Sequence, residues 1–87
     1  MQSTPLEERS EPVIPPFQKG LYRHYKGQQY EVIDVVHHSE TREPLVLYRA
    51  LYGAHGLWVR PFSMFFEDVM IEGVEQPRFA FIEELAK

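Results

Sequence analysis

Cysteine is absent from this 87-residue chain. With it go a disulfide framework, a thiolate metal site and a cysteine nucleophile. The absence fits a reducing compartment. Long apolar runs are missing too, none approaching the roughly 20 residues that cross a bilayer. The opening stretch MQSTPLEERSEP has neither the basic nor the apolar region of a secretory signal. These absences lead us to expect a cytoplasmic protein with no membrane association. Basic charge is scarce, with 9 Lys and Arg against 13 Asp and Glu and a net charge of −4. Non-specific binding to a nucleic-acid backbone draws on counterion release at a basic surface, so that partner is disfavoured. Several acids sit near the termini (Glu7, Glu8, Glu11, Glu83 and Glu84), which leaves the middle of the chain close to neutral and open to a local basic patch. Two catalytic signatures are missing as well: no G-x-S-x-G elbow and no phosphate-cradling glycine loop.

What is present is β-forming and aromatic. The length allows one domain at most, and a hydrophobic fraction of 44% is ordinary for a folded one. Residues 1–18 hold four of the seven prolines (Pro5, Pro12, Pro15 and Pro16). Proline at that density fixes φ and removes donors, so we expect a flexible, extended tail there and a single small domain over residues 19–87. An alternative for its end is docking of Val13-Ile14-Pro15-Pro16-Phe17 onto the domain, since three of those five side chains are apolar.

Leu21, Arg23 and Tyr25 alternate with Tyr22 and His24, which predicts a short strand, and Gly27 supplies the positive φ of a tight turn. Gln29 to His37 is the strongest β segment, but its apolar residues occupy both phases. In a small barrel that pattern predicts a bulge. His38 to Pro44 is a polar loop. Leu45 to Tyr52 and Leu57 to Arg60 are strands joined through Gly53-Ala54-His55-Gly56, with Gly56 suited to a left-handed position. Pro61 to Phe66 is too short for an amphipathic helix and is expected to form a 3₁₀ turn that plugs the barrel with phenylalanines. Glu67 to Glu72 and Arg78 to Glu83 are expected to pair as a last hairpin about Gly73. The sum is an all-β chain, a small SH3-like barrel of about five to six short antiparallel strands.

The ordered strings KGxxYxV, HSET and LYRALYGxxGLWVRPxxMF resemble a family of small bacterial proteins catalogued only as a domain of unknown function, number sixteen fifty-three. The matching residues are Lys26, Gly27, Tyr30 and Val32; His38 to Thr41; Tyr48 to Gly53; and Trp58 to Pro61, Met64 and Phe65. The resemblance spans about Gly20 to Ile82. It implies a compact SH3-like barrel and brings no established activity.

Candidate sites follow from the polar groups set in β segments. A charge in an apolar strand must be paired or exposed. Arg49 or Arg60 is therefore expected to pair with Glu40 or another carboxylate, and the other use is an anion clamp, for which the planar guanidinium is suited. His37-His38-Ser39-Glu40 supplies at most two metal ligands on one strand face, short of the three that a catalytic zinc site takes from its protein. We expect no metal, no cofactor and no catalytic residue. The tyrosines and Trp58 outnumber what so small a core accommodates, so some reach the surface, where such side chains serve interfaces. The sequence reading is thus a non-catalytic binding module that uses His38, Glu40, Tyr48, Arg49, Tyr52, Trp58 and Arg60. It favours a peptide or protein ligand over single-stranded nucleic acid, with a homodimer interface as a further use of the aromatics. The alternative is a small enzyme or ligand sensor built on His38, Glu40 and an arginine clamp.

Overall fold

The computed structural model describes residues 14–85. The chain runs β1 (Gly20–His24), β2 (Gln29–His37), β3 (Pro44–Ala50), β4 (Leu57–Pro61), α1 (Phe62–Phe65), β5 (Asp68–Ile71), β6 (Val74–Pro77) and β7 (Phe79–Glu83). An antiparallel five-stranded sheet has the order β4-β3-β2-β1-β7, and β5 pairs with β6 in a separate ribbon. Among the described residues no helix is long and apolar enough to cross a membrane. Of the Pro-rich lead, residues 1–13 lie outside the described residues. At its end the Phe17 ring stands edge-on to Phe62 at 6.1 Å.

Strand alternation decides where the core lies. Val46, Tyr48 and Ala50 fall on one face of β3 and are buried, while Leu45, Leu47 and Arg49 occupy the other. The two apolar phases of β2 are reconciled by a bulge. Val32 is opposite Tyr48 and Val35 is opposite Val46, because the register shifts between Val32 and Asp34. The extra residue turns both valines to the core face, as expected of a bulged strand. Tyr22 of β1 and Phe79 of β7 complete that face.

The turn after Pro61 plugs the core, though not as a 3₁₀ turn. Phe66 N–H donates to Phe62 C=O at 3.2 Å, an i to i+4 bond that makes α1 one α-helical turn. It drives Phe65 to complete burial against Tyr22, Tyr48 and Phe79.

Three other expectations are corrected. The sheet is open and not a closed barrel, with β4 and β7 as its two edges. The expected pairing of Glu67–Glu72 with Arg78–Glu83 does not form. Instead β5 folds onto β6 through a two-residue turn in which Glu72 and Gly73 have φ of 52° and 79°, the geometry of a type I′ hairpin. That frees β7 to pair with β1, and the ten residues spent on the ribbon leave no strand to bridge the two edges. In the β3–β4 loop the left-handed residues are Gly53 and His55, not Gly56.

Candidate functional site

The seven residues singled out in the sequence divide into three groups. Tyr48 lies directly across from Trp58, and Val46 from Arg60, so Tyr48, Trp58 and Arg60 share the core face of the sheet. Tyr52, just past β3, joins them through Tyr30. The two hydroxyls are 2.9 Å apart and the rings meet edge to face at 5.6 Å. Tyr48 is only 6% exposed and forms the floor, in contact with Tyr30 at 5.4 Å and Phe79 at 5.9 Å. Trp58 at 60% and Tyr52 at 48% stand in solvent above it.

Arg49 faces the other way. Its guanidinium donates to His55 C=O at 2.9 Å and so braces the β3–β4 loop from the outer face. His38 and Glu40 lie in the β2–β3 loop, at the opposite end of β3. Six residue steps at ~3.3 Å each put the two ends about 20 Å apart. There His38 Nδ1 accepts the backbone N–H groups of Glu40 at 3.1 Å and Thr41 at 3.3 Å. That imidazole orders its own loop, and the Glu40 side chain is solvent-exposed. The expected Arg–Glu40 ion pair does not form: neither Arg49 nor Arg60 pairs with a carboxylate among the described residues.

Arg60 is therefore a cation with no carboxylate partner among the described residues. Its guanidinium carbon lies 5.7 Å from the centroid of the Phe79 ring, a cation–π contact. Its Nε is buried and has no hydrogen-bond partner among the described residues. The surroundings are electropositive despite the acidic chain. Burial lowers the pKa of the half-buried His24 imidazole, and the charges of Arg78, Lys26 and Arg60 lower it further. His24 packs beside Tyr25 at 4.4 Å and edge-on to Phe79 at 4.9 Å. Burial, the hydrogen bond with Tyr52 and the charges of Tyr52 and Tyr48 push Tyr30 up to about 12 against the opposing charge of Arg60, so its hydroxyl stays protonated at neutral pH.

The result is an aromatic shelf carrying a guanidinium with no carboxylate partner among the described residues. It offers stacking area and a fork for an anion, and no nucleophile or acid–base pair is assembled on it. Among the described residues no group of three or more His, Asp or Glu is placed to hold a metal ion. Sequence reasoning missed Phe79, His24 and Arg78 as parts of this neighbourhood. The long-range pairing of β7 with β1 brings them there, and no local spacing signals it. It also missed a groove of about 620 Å³ lined by Pro16, Phe17, Tyr22, Phe66, Pro77 and Phe81 among others, which contains none of the seven residues.

The family described as "Protein of unknown function (DUF1653)" matches residues 20–81. A crystal structure of a DUF1653 protein from Bordetella bronchiseptica is 34% identical and superposes with a TM-score of 0.73, over 82% of this chain and 94% of that one. Nothing among the curated proteins matches the chain.

Proposed function

The chain belongs to the DUF1653 family of proteins of unknown function, and we propose that it is a non-catalytic binding module of the bacterial cytoplasm whose ligand is a peptide or protein. One observation carries the reading. Arg60 lies over Phe79 without a carboxylate partner among the described residues, beside the exposed Trp58 and Tyr52. A guanidinium set over an aromatic ring, with its buried Nε unsatisfied among the described residues, is suited to an incoming carboxylate or carbonyl. Exposed Trp and Tyr are the side chains that dominate binding energy at interfaces. The enzyme alternative draws no support from His38, whose Nδ1 is engaged by backbone. A stacked homodimer would use the same aromatics.

Selection from a displayed peptide library tests the reading, with wild-type chain, Trp58→Ala and Arg60→Gln immobilised in parallel. Peptides retained by the wild type and lost by both variants, at melting temperatures within a few degrees, are the expected result. Equal retention by all three chains, or no selection at all, would sink it.

A further inference from the structure

The open edge of β4 adds a feature that the shelf alone does not explain. Gly56 C=O accepts from Ala50 N–H at 3.0 Å, and the register continues through Trp58 opposite Tyr48 and Arg60 opposite Val46 without a shift. In an antiparallel ladder the backbone groups of alternate residues point to opposite sides. The N–H and C=O groups of Trp58 and Arg60 are thus spent on β3. Those of Leu57 and Val59 point away from the sheet, joined by the carbonyl of Pro61. Proline at this position fits, because its missing N–H falls on the unpaired side. Side chains alternate in step: Trp58 and Arg60 flank the free edge on the core face, while Leu57 and Val59, both exposed, flank it on the outer face beside Leu45 and Leu47. No backbone bond among the described residues covers Leu57 or Val59 from that side.

We infer that the ligand is an extended acidic peptide that adds to β4 as a sixth strand and sets a carboxylate side chain against Arg60. The inference rests on the binding-module reading and deepens it. Strand addition supplies affinity through main-chain bonds and specificity through alternate side chains, and cross-strand neighbours lie about 4.5–5.5 Å apart. A residue opposite Arg60 meets a guanidinium without a carboxylate, in a region where Arg78 and Lys26 also bear on His24. The residues on either side of it meet Val59 and Pro61. The pattern selected is therefore apolar–acidic–apolar, with β-branched apolar residues suited to the pleat. Single-stranded nucleic acid would exploit Trp58 and Arg60 but leave the free amides of β4 unused, and the net charge of −4 opposes it.

The test uses the pentapeptide acetyl-Thr-Val-Glu-Val-Thr-amide, its Lys-for-Glu analogue and an eight-residue oligothymidylate, followed by amide NMR and hydrogen exchange on the full chain. The expected result is binding of the Glu peptide with slowed exchange at the Val59 amide. The Lys analogue and Arg60→Gln should each weaken it tenfold or more. Val59→Pro removes one outward N–H without touching the β3 ladder, and it should weaken the peptide while the other amide signals of the sheet persist. Four results overturn the inference: silence of the Glu peptide, oligothymidylate binding in its place, peptide binding that leaves the Val59 amide exchanging freely, or concentration-dependent protection of that amide without peptide. The last would assign the edge to a second copy of the chain. Library peptides that move the Trp58 indole but spare the β4 amides would leave the binding-module reading standing, whereas failure of that selection too would remove both.

Discussion

Phe65 and Phe79 lie ring on ring, with centroids 4.0 Å apart and planes within 4° of parallel. One comes from the single turn α1 and the other from β7, so the contact ties the plug to an edge strand across the sheet. Tyr22 and Tyr48 close on Phe65 at 5.6 and 5.3 Å. Truncation there leaves a cavity lined by aromatics that cannot collapse without moving β7. Phe65→Ala is expected to cost about 3–5 kcal/mol, a large part of the stability of a domain this small. Chemical denaturation of the variant checks it, and a loss under about 1 kcal/mol would show that α1 is a dispensable cover.

Gly20 sets a second constraint. It opens β1 at φ +137°, and a Cβ there would meet Glu83 C=O, with Glu84 Cα at 2.9 Å and Leu85 N at 3.2 Å. Those neighbours are backbone, so they give way only if the end of β7 leaves β1. Gly20→Ala is expected to destabilise the chain by about 2 kcal/mol or more, from backbone strain together with the clash. Hydrogen exchange should locate the loss in the β1–β7 pairing, and uniform exchange across the sheet would contradict this origin.

These two sites mark where the sequence was readable and where it was not. The double phase of β2 is a local signal and was legible as the bulge that turns Val32 and Val35 inward. The closed barrel was not, because closure depends on which strand β7 joins. Val74-Glu75-Gln76-Pro77 carries little β propensity and ends in proline, so β6 has the local signature of a turn. Read as a turn, it points β7 to β5 as its partner. The site shared that limit. Trp58 and Arg60 were recognisable as a spaced pair on one strand, and the register sets them beside Tyr48. The separation of Arg49 from Arg60 follows from parity along β3 and β4. The distance of His38 and Glu40 from the shelf follows from the length of β3. The cations gathered around His24 arise from tertiary pairing and have no local signature.

His24 makes acid destabilising. Its folded pKa lies below the unfolded value of about 6.5, so the unfolded chain takes up a proton first as pH falls. Stability from this group is fully present above about pH 6.5 and declines below it, levelling once the folded imidazole is also protonated. Nδ1 of neutral His24 accepts Lys26 N–H at 3.1 Å, while Arg78, Lys26 and Arg60 oppose its charge. Glu67 answers only Arg78, with which it is paired. Melting temperatures at pH 7.5 and 5.5 should therefore fall further in the wild type than in His24→Gln. Equal falls would assign the acid sensitivity to other groups.

Tyr48 and Trp58 face each other across β3 and β4 and should separate floor from contact. Tyr48 is buried among Tyr30, Phe65 and Phe79, so Tyr48→Ala is expected to cost about 3–5 kcal/mol, as aromatic truncations in cores do. Trp58 stands mostly in solvent, and Trp58→Ala should change stability by no more than about 0.5 kcal/mol while removing peptide retention. Arg49→Ala falls between them. It frees the His55 carbonyl on the outer face, costs about 1 kcal/mol and should leave peptide retention intact, because its guanidinium is turned away from the shelf against that carbonyl. If Arg49→Ala lost the ligand and Trp58→Ala kept it, the binding surface would be the outer face of the sheet with Leu45, Leu47 and Val59, and the shelf would be only the exposed rim of the core.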